Sequence, residues 1–136
     1  MQAYAQSPNT TRSNKSVWFG RILSGIAVLF LTVDAGMKVL VLRPAVEGTV
    51  RLGYPASVVL GIGILQLVCL AVYLVPRTAI IGAVLWTGYL GGAIATHVRV
   101  GNPLFTHVLF PVYVAALLWA GLWLRDLRVR AMYEPK

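Results

Sequence analysis

The sequence predicts an all-α integral membrane protein: a four-helix bundle with both termini cytoplasmic and a short amphipathic segment between helices 1 and 2. Three observations lead there. Charged residues make up 12% of the 136 and hydrophobic residues 58%, whereas a soluble domain is about 25% charged. The apolar residues gather into runs of the length that crosses a bilayer, about 20 residues of helix. The basic residues flank those runs and form no dense patch, so the net charge of +8 points to anionic lipid headgroups and not to nucleic acid.

Residues 1–16 are polar and rich in Ser, Thr, Asn and Gln, which predicts a disordered cytoplasmic tail. A membrane domain is expected over 17–127 and a basic cytoplasmic tail over 128–136. The spans fall at about 21–42, 55–75, 78–98 and 104–124. Pro55 suits a helix start and Pro76 a helix end. Spans two and three have almost no loop between them, so they must be antiparallel neighbours. Gly101-Asn102-Pro103 marks the last turn. Between spans one and two, Val46, Val50 and Leu52 alternate with a Glu47–Arg51 pair at i,i+4, as in a helix lying at the membrane surface.

Orientation follows from the bias of Lys and Arg. Eight (Arg12, Lys15, Arg21, Arg77, Arg125, Arg128, Arg130, Lys136) lie on the side of the termini, and four (Lys38, Arg43, Arg51, Arg99) on the other. The richer side is expected to be cytoplasmic, in the plasma membrane, with Trp18, Trp119, Trp123 and Tyr133 toward it as interface anchors. Among the small residues, Gly61, Gly88 and Gly92 are expected at close helix contacts, because backbone approach replaces the hydrophobic drive in lipid.

Asp34 and Lys38 are the most telling residues. A charge inside a span costs roughly 2.5–3.5 kcal/mol on insertion scales, so two in one apolar run need a reason. Their i,i+4 spacing, acid first, puts them on one helical face in the favourable order. Two readings stand: a self-neutralising pair with Lys38 reaching the interface, or a carboxylate tuned for proton transfer or for gripping a polar ligand. The alternating path also brings Tyr54, His97 and His107 to the same membrane face, with Glu47, Arg51 and Arg99 as rim residues. Gln66, Cys69 and Tyr73 form a polar stripe on span two, suited to interhelical hydrogen bonds or to one wall of a pocket. Asp34, Lys38, Tyr54, Gln66, His97 and His107 are therefore the candidates for ligand binding or proton relay. Two histidines in a bundle can ligate haem or a metal. These flank one short turn at the membrane edge, so hydrogen bonding is expected and neither haem nor metal. Pro111 removes the amide that the His107 carbonyl would accept from, predicting a kink in span four. With Cys69 as the one cysteine, no disulfide within the chain and no C-x-x-C centre can form.

The order of these residues resembles the DoxX-like family of small four-helix membrane proteins. The carrying segments are Ser24-Gly25, Asp34 to Lys38, Arg51 to Pro55, Pro76 to Gly82, Thr87 to Arg99, and Phe110-Pro111. Together they cover roughly residues 20–127. The resemblance implies the fold. The family takes its name from a membrane subunit linked to quinone-dependent sulfur oxidation and a quinol oxidase, and distant relatives resemble chaperones or cargo receptors. It supplies no catalytic motif, although Asp34, Lys38 and His97 fall at positions that are polar in its pattern. No nucleophile with its base, metal motif or phosphate loop is present, so any enzymatic role is that of a subunit in an oxidoreductase complex. Two classes remain. One is a redox accessory subunit holding a quinone-like or other amphipathic ligand in the outer half of the bundle. The other is a non-enzymatic adaptor or chaperone for partner membrane proteins, or for further copies of itself.

Overall fold

The computed structural model describes residues 13–133. Four stretches are long and apolar enough to span a membrane: Asn14–Val39, Ala56–Leu74, Ala79–Arg99 and Leu104–Arg125. The helices are α1 (Asn14–Val39), α2 (Arg43–Arg51), α3 (Val59–Leu74) after a 3-10 turn, α4 (Ala79–Arg99), α5 (Phe110–Arg125) after a π-helical turn over Leu104–Val108, and α6 (Leu127–Ala131). The fold class is as the hydropathy predicts. Helix α1 packs on α3 and α5, and α4 packs on the same two, closing a ring.

Several boundaries differ from expectation. Asn14, Lys15 and Ser16 already belong to α1, and the rest of the expected tail, except Ser13, lies outside the described residues. The apolar run continues to Leu42, but α1 ends at Val39. The amides of Leu42 and Val41 turn back to the carbonyls of Met37 and Lys38, a closure that puts Val41 at φ 51°, where glycine is the usual occupant. The amphipathic segment is α2, but its buried face is Ala45 and Thr49, and Val50 is exposed. Span four is more than kinked. Pro111 sits in the first turn of α5, where a missing amide costs nothing, and the preceding residues form the π turn.

The basic C-terminal stretch is not wholly a tail. Asp126 caps α6 by accepting from the Arg128 amide, and Val129 is buried. The Arg128 guanidinium also bonds Asp126 and the carbonyls of Pro76 and Arg77, joining α6 to the α3–α4 turn. Its hydrogen bonds hold the Asp126 carboxyl below its ordinary range. Residues 134–136 lie outside the described residues.

The core is centred on Trp86, Tyr73, Leu31, Leu118 and Leu122, all fully buried. The Tyr73 hydroxyl donates to the Leu118 carbonyl and meets Ser24 Oγ, both at 3.0 Å, so one side chain ties α3 to α5 and α1. Trp119, expected as an interface anchor, forms a cross-link: its indole donates to Thr87 on α4 at 2.9 Å.

Glycine makes the close contacts, but at other positions than expected. A Cβ on Gly61, Gly88 or Gly92 would meet nothing within 4 Å. The tight approaches are at Gly20 and Gly121 between α1 and α5, at Gly82 against the Tyr73 backbone, and at Gly63 against Lys38 and Val39. Small-residue spacing marks a helix that can be approached closely. The rotation of that helix, which spacing does not contain, decides which glycines are approached.

Candidate functional site

Gly63 builds the site. A Cβ there would lie 2.8 Å from the Val39 amide nitrogen and 2.9 Å from Lys38 Cβ, so its absence lets α3 lie against the last turn of α1. One turn further along each helix, Gln66 and Asp34 then meet. Gln66 Nε2 donates to Asp34 Oδ2 at 2.6 Å, and Lys38 Nζ donates to the same oxygen at 2.5 Å. The carboxylate is thus held by one cation and one amide on a helix surface. Gln66 is fully buried, and its Oε1 has no hydrogen-bond partner among the described residues. A buried acceptor left unmet costs about 1–3 kcal/mol, so this wall of the site has a polar demand that the described residues do not meet.

The opposite wall comes from α4 and the turn after it. The amides of Asn102 and Gly101 close α4 onto the carbonyls of His97 and Val98, with Gly101 at φ 71°. That closure folds Asn102 back so that its amide donates to His97 Nδ1 at 2.7 Å, which puts the ring proton on Nε2. The π turn brings His107 alongside, its ring centroid 5.8 Å from that of His97 and edge-to-face. His107 Nδ1 meets Thr106 Oγ1 at 2.8 Å. Tyr54, from the loop after α2, meets Thr96 Oγ1 at 3.0 Å.

Between the walls lies a cavity of about 790 Å³. Asp34, Lys38, Tyr54, Gln66, His97 and His107 all line it. The rest of its surface is largely apolar, with Phe30, Leu31, Met37, Leu90, Phe110 and Val114. Phe30 and Phe110 close one side edge-to-face at 5.1 Å. Gly88 and Gly92, expected at helix contacts, line this space together with Pro111. Their missing side chains leave volume and make no packing contact.

The rim residues separate. Arg51 lines the cavity mouth, while Glu47, its partner at 4.0 Å, points to the surface. Arg99 is engaged within the protein. It donates to the Leu52 carbonyl at 2.7 Å and lies over the Tyr54 ring at 5.8 Å, tying the α2–α3 loop to the end of α4. Among the described residues no three His, Cys, Asp or Glu side chains gather as a metal-binding group. Sequence reasoning did not single out Asn102, Tyr89 or Thr96 as cavity residues. The short Gly-Asn-Pro turn was a usable signal for Asn102, because a residue at a helix C-terminus folds back onto its own last turn.

No curated protein and no solved structure matches the chain. A sequence model of the DoxX-like family matches residues 22–121, a segment that contains both walls of the cavity. The chain therefore belongs to the DoxX-like family.

Proposed function

We propose that this protein is an accessory subunit of a membrane redox system, and that it holds an amphipathic, quinone-like ligand in the cavity between α1, α3, α4 and α5. One observation carries the proposal: six polar side chains from five parts of the chain converge on one largely apolar cavity of about 790 Å³. Ligand pockets span about 300–1,000 Å³ and combine apolar walls with a few placed polar groups. A quinone supplies two carbonyl oxygens that accept hydrogen bonds, and its quinol supplies two hydroxyl donors. Lys38 and His97 Nε2 suit the carbonyls. Gln66 Oε1, the unmet acceptor, suits a donor carried by the ligand or by a water bound beside it. Asp34 is placed to take up or release a proton near either form. Phe30 and Phe110 suit the ring faces.

Titration of the purified protein with a short-chain quinone analogue tests this, read by quenching of tryptophan fluorescence. The wild type should bind saturably. Asp34→Asn with His97→Ala should weaken binding roughly tenfold or more, at about 1 kcal/mol for each lost hydrogen bond. Gly92→Leu, whose Cβ would meet nothing within 4 Å and whose side chain would enter the cavity, should abolish binding while the protein still melts normally. Equal, unsaturable signals from all three would mean partitioning into detergent, and the adaptor role toward partner membrane proteins would replace this reading.

The proposed orientation places the cavity end outside and both termini in the cytoplasm, as the basic residues suggest. In a Cys69→Ser background, Glu47→Cys should react with a membrane-impermeant thiol reagent in intact cells, and Arg77→Cys only after lysis. The reverse pattern would invert the protein.

A further inference from the structure

We infer that the opposite end of the bundle carries a second site, which takes the phosphate of an anionic phospholipid headgroup. A smaller cavity of about 220 Å³ lies there, lined by Arg21 of α1, Pro76 of the α3–α4 turn, Arg125 at the end of α5, and Asp126 and Arg128 leading into α6. Its charges do not balance. Asp126 is engaged by the Arg128 guanidinium through two hydrogen bonds, of which the one at 2.7 Å is also the ion-pair contact. Arg128 spends its remaining donors on the carbonyls of Pro76 and Arg77. That pair is a neutral wall, and the positive charge left over belongs to Arg21 and Arg125.

Neither of these has a hydrogen-bonded partner among the described residues. Arg21 is exposed and makes no ion pair with a described residue. Arg125 lies over the Tyr73 ring, with its guanidinium carbon 5.2 Å from the centroid, and its buried Nε has no acceptor. Stacking fixes the guanidinium plane and leaves its edge available, the arrangement in which arginine suits an oxyanion. A phosphodiester supplies what is missing: one negative charge and several acceptor oxygens within reach of two cationic forks. The location selects a lipid over a soluble phosphate. The site lies at the end of the bundle where α1 begins and α5 ends, and the exposed Trp18 and Trp123 belong to those same helix ends, as is usual for aromatic residues at the depth headgroups occupy. Basic pockets between helices at this depth bind anionic headgroups.

The test uses the full chain in neutral detergent, titrated with short-chain phosphatidylglycerol, short-chain phosphatidylcholine and inorganic phosphate, each read by native mass spectrometry and by the melting temperature. Phosphatidylglycerol should bind at a stoichiometric site and raise the melting temperature, while phosphatidylcholine and inorganic phosphate should do neither at equal concentration. Each arginine near an anionic lipid contributes roughly fivefold in affinity. Arg21→Gln and Arg125→Gln should each weaken phosphatidylglycerol by about that factor, Arg21→Lys should recover most of it, and Arg43→Gln at the α2 end should leave it unchanged. Arg21 is exposed, so its variants decide the matter if Arg125→Gln does not fold. Equal binding of both lipids, an equal loss in Arg43→Gln, or inorganic phosphate matching phosphatidylglycerol would each overturn the lipid site.

Discussion

Gly82→Leu should abolish folding or lower stability by more than about 3 kcal/mol, the upper part of the range for overpacking, whereas Gly61→Leu should stay within about 1 kcal/mol of the wild type. Both are helical glycines in apolar spans, so helix propensity favours leucine equally at each. They differ in what a Cβ would meet. At Gly82 it would overlap the Tyr73 backbone at N and Cα, and at Gly61 it enters open space. A flexible side chain can move aside, but the backbone of a packed helix moves only with the helix. Separating α4 from α3 would also disturb Tyr73, whose hydroxyl joins α3 to α1 and α5. Melting of the detergent-solubilised variants, followed by tryptophan fluorescence, gives the comparison. Similar melting of the two would mean that α3 and α4 do not cross at Gly82.

The second large effect is expected at Asp34 and Lys38. Lys38→Met leaves the Asp34 carboxylate with the Gln66 amide as its one remaining partner among the described residues. Asp34→Asn strands the Lys38 ammonium. Breaking a fully buried ion pair costs about 3–5 kcal/mol. The Asp34 side chain is 30% exposed to the cavity, and solvent there screens the charge, so roughly half that loss is expected for each single variant. The double variant Asp34→Asn with Lys38→Met leaves no stranded charge and should be milder than either single change. A double-mutant cycle in thermal melting measures the coupling. Strict additivity would show that the ammonium reaches the interface independently of the carboxylate. Gln66→Leu adds a control, because it removes the amide donor and the unmet Oε1 together. If Oε1 serves a bound molecule, this variant loses ligand affinity while keeping much of its stability.

The membrane spans were legible because hydropathy is a local, additive property of a helix in lipid. The Asp34–Lys38 pair was legible for the same kind of reason, since i,i+4 neighbours meet on any helix whatever surrounds it. The convergence of Tyr54, His97 and His107 followed from topology alone: an even number of crossings returns the chain to the same face. The Gln66–Asp34 hydrogen bond was not legible as a pair. It depends on α3 being turned toward α1 at Gly63, and the apolar pattern around α3 permits other rotations because lipid and protein interior are both apolar.

The same missing information explains the glycines. Gly61 and Gly63 are two residues apart, and one contacts nothing while the other sets the distance between two helices. Gly88 and Gly92 carry the spacing of a packing motif but open a cavity. The sequence by itself determined how many times the chain crosses the membrane, where the turns fall and which polar residues share an end. Those outcomes follow from each segment's own composition and from chain continuity. Tertiary structure decided which faces touch, where the volume was left empty, that Arg99 ties down a loop, and that Arg128 and Arg130 lie in α6, with Arg128 bonded to the α3–α4 turn. Each of these is set by the simultaneous packing of all the helices, and no single helix contains it.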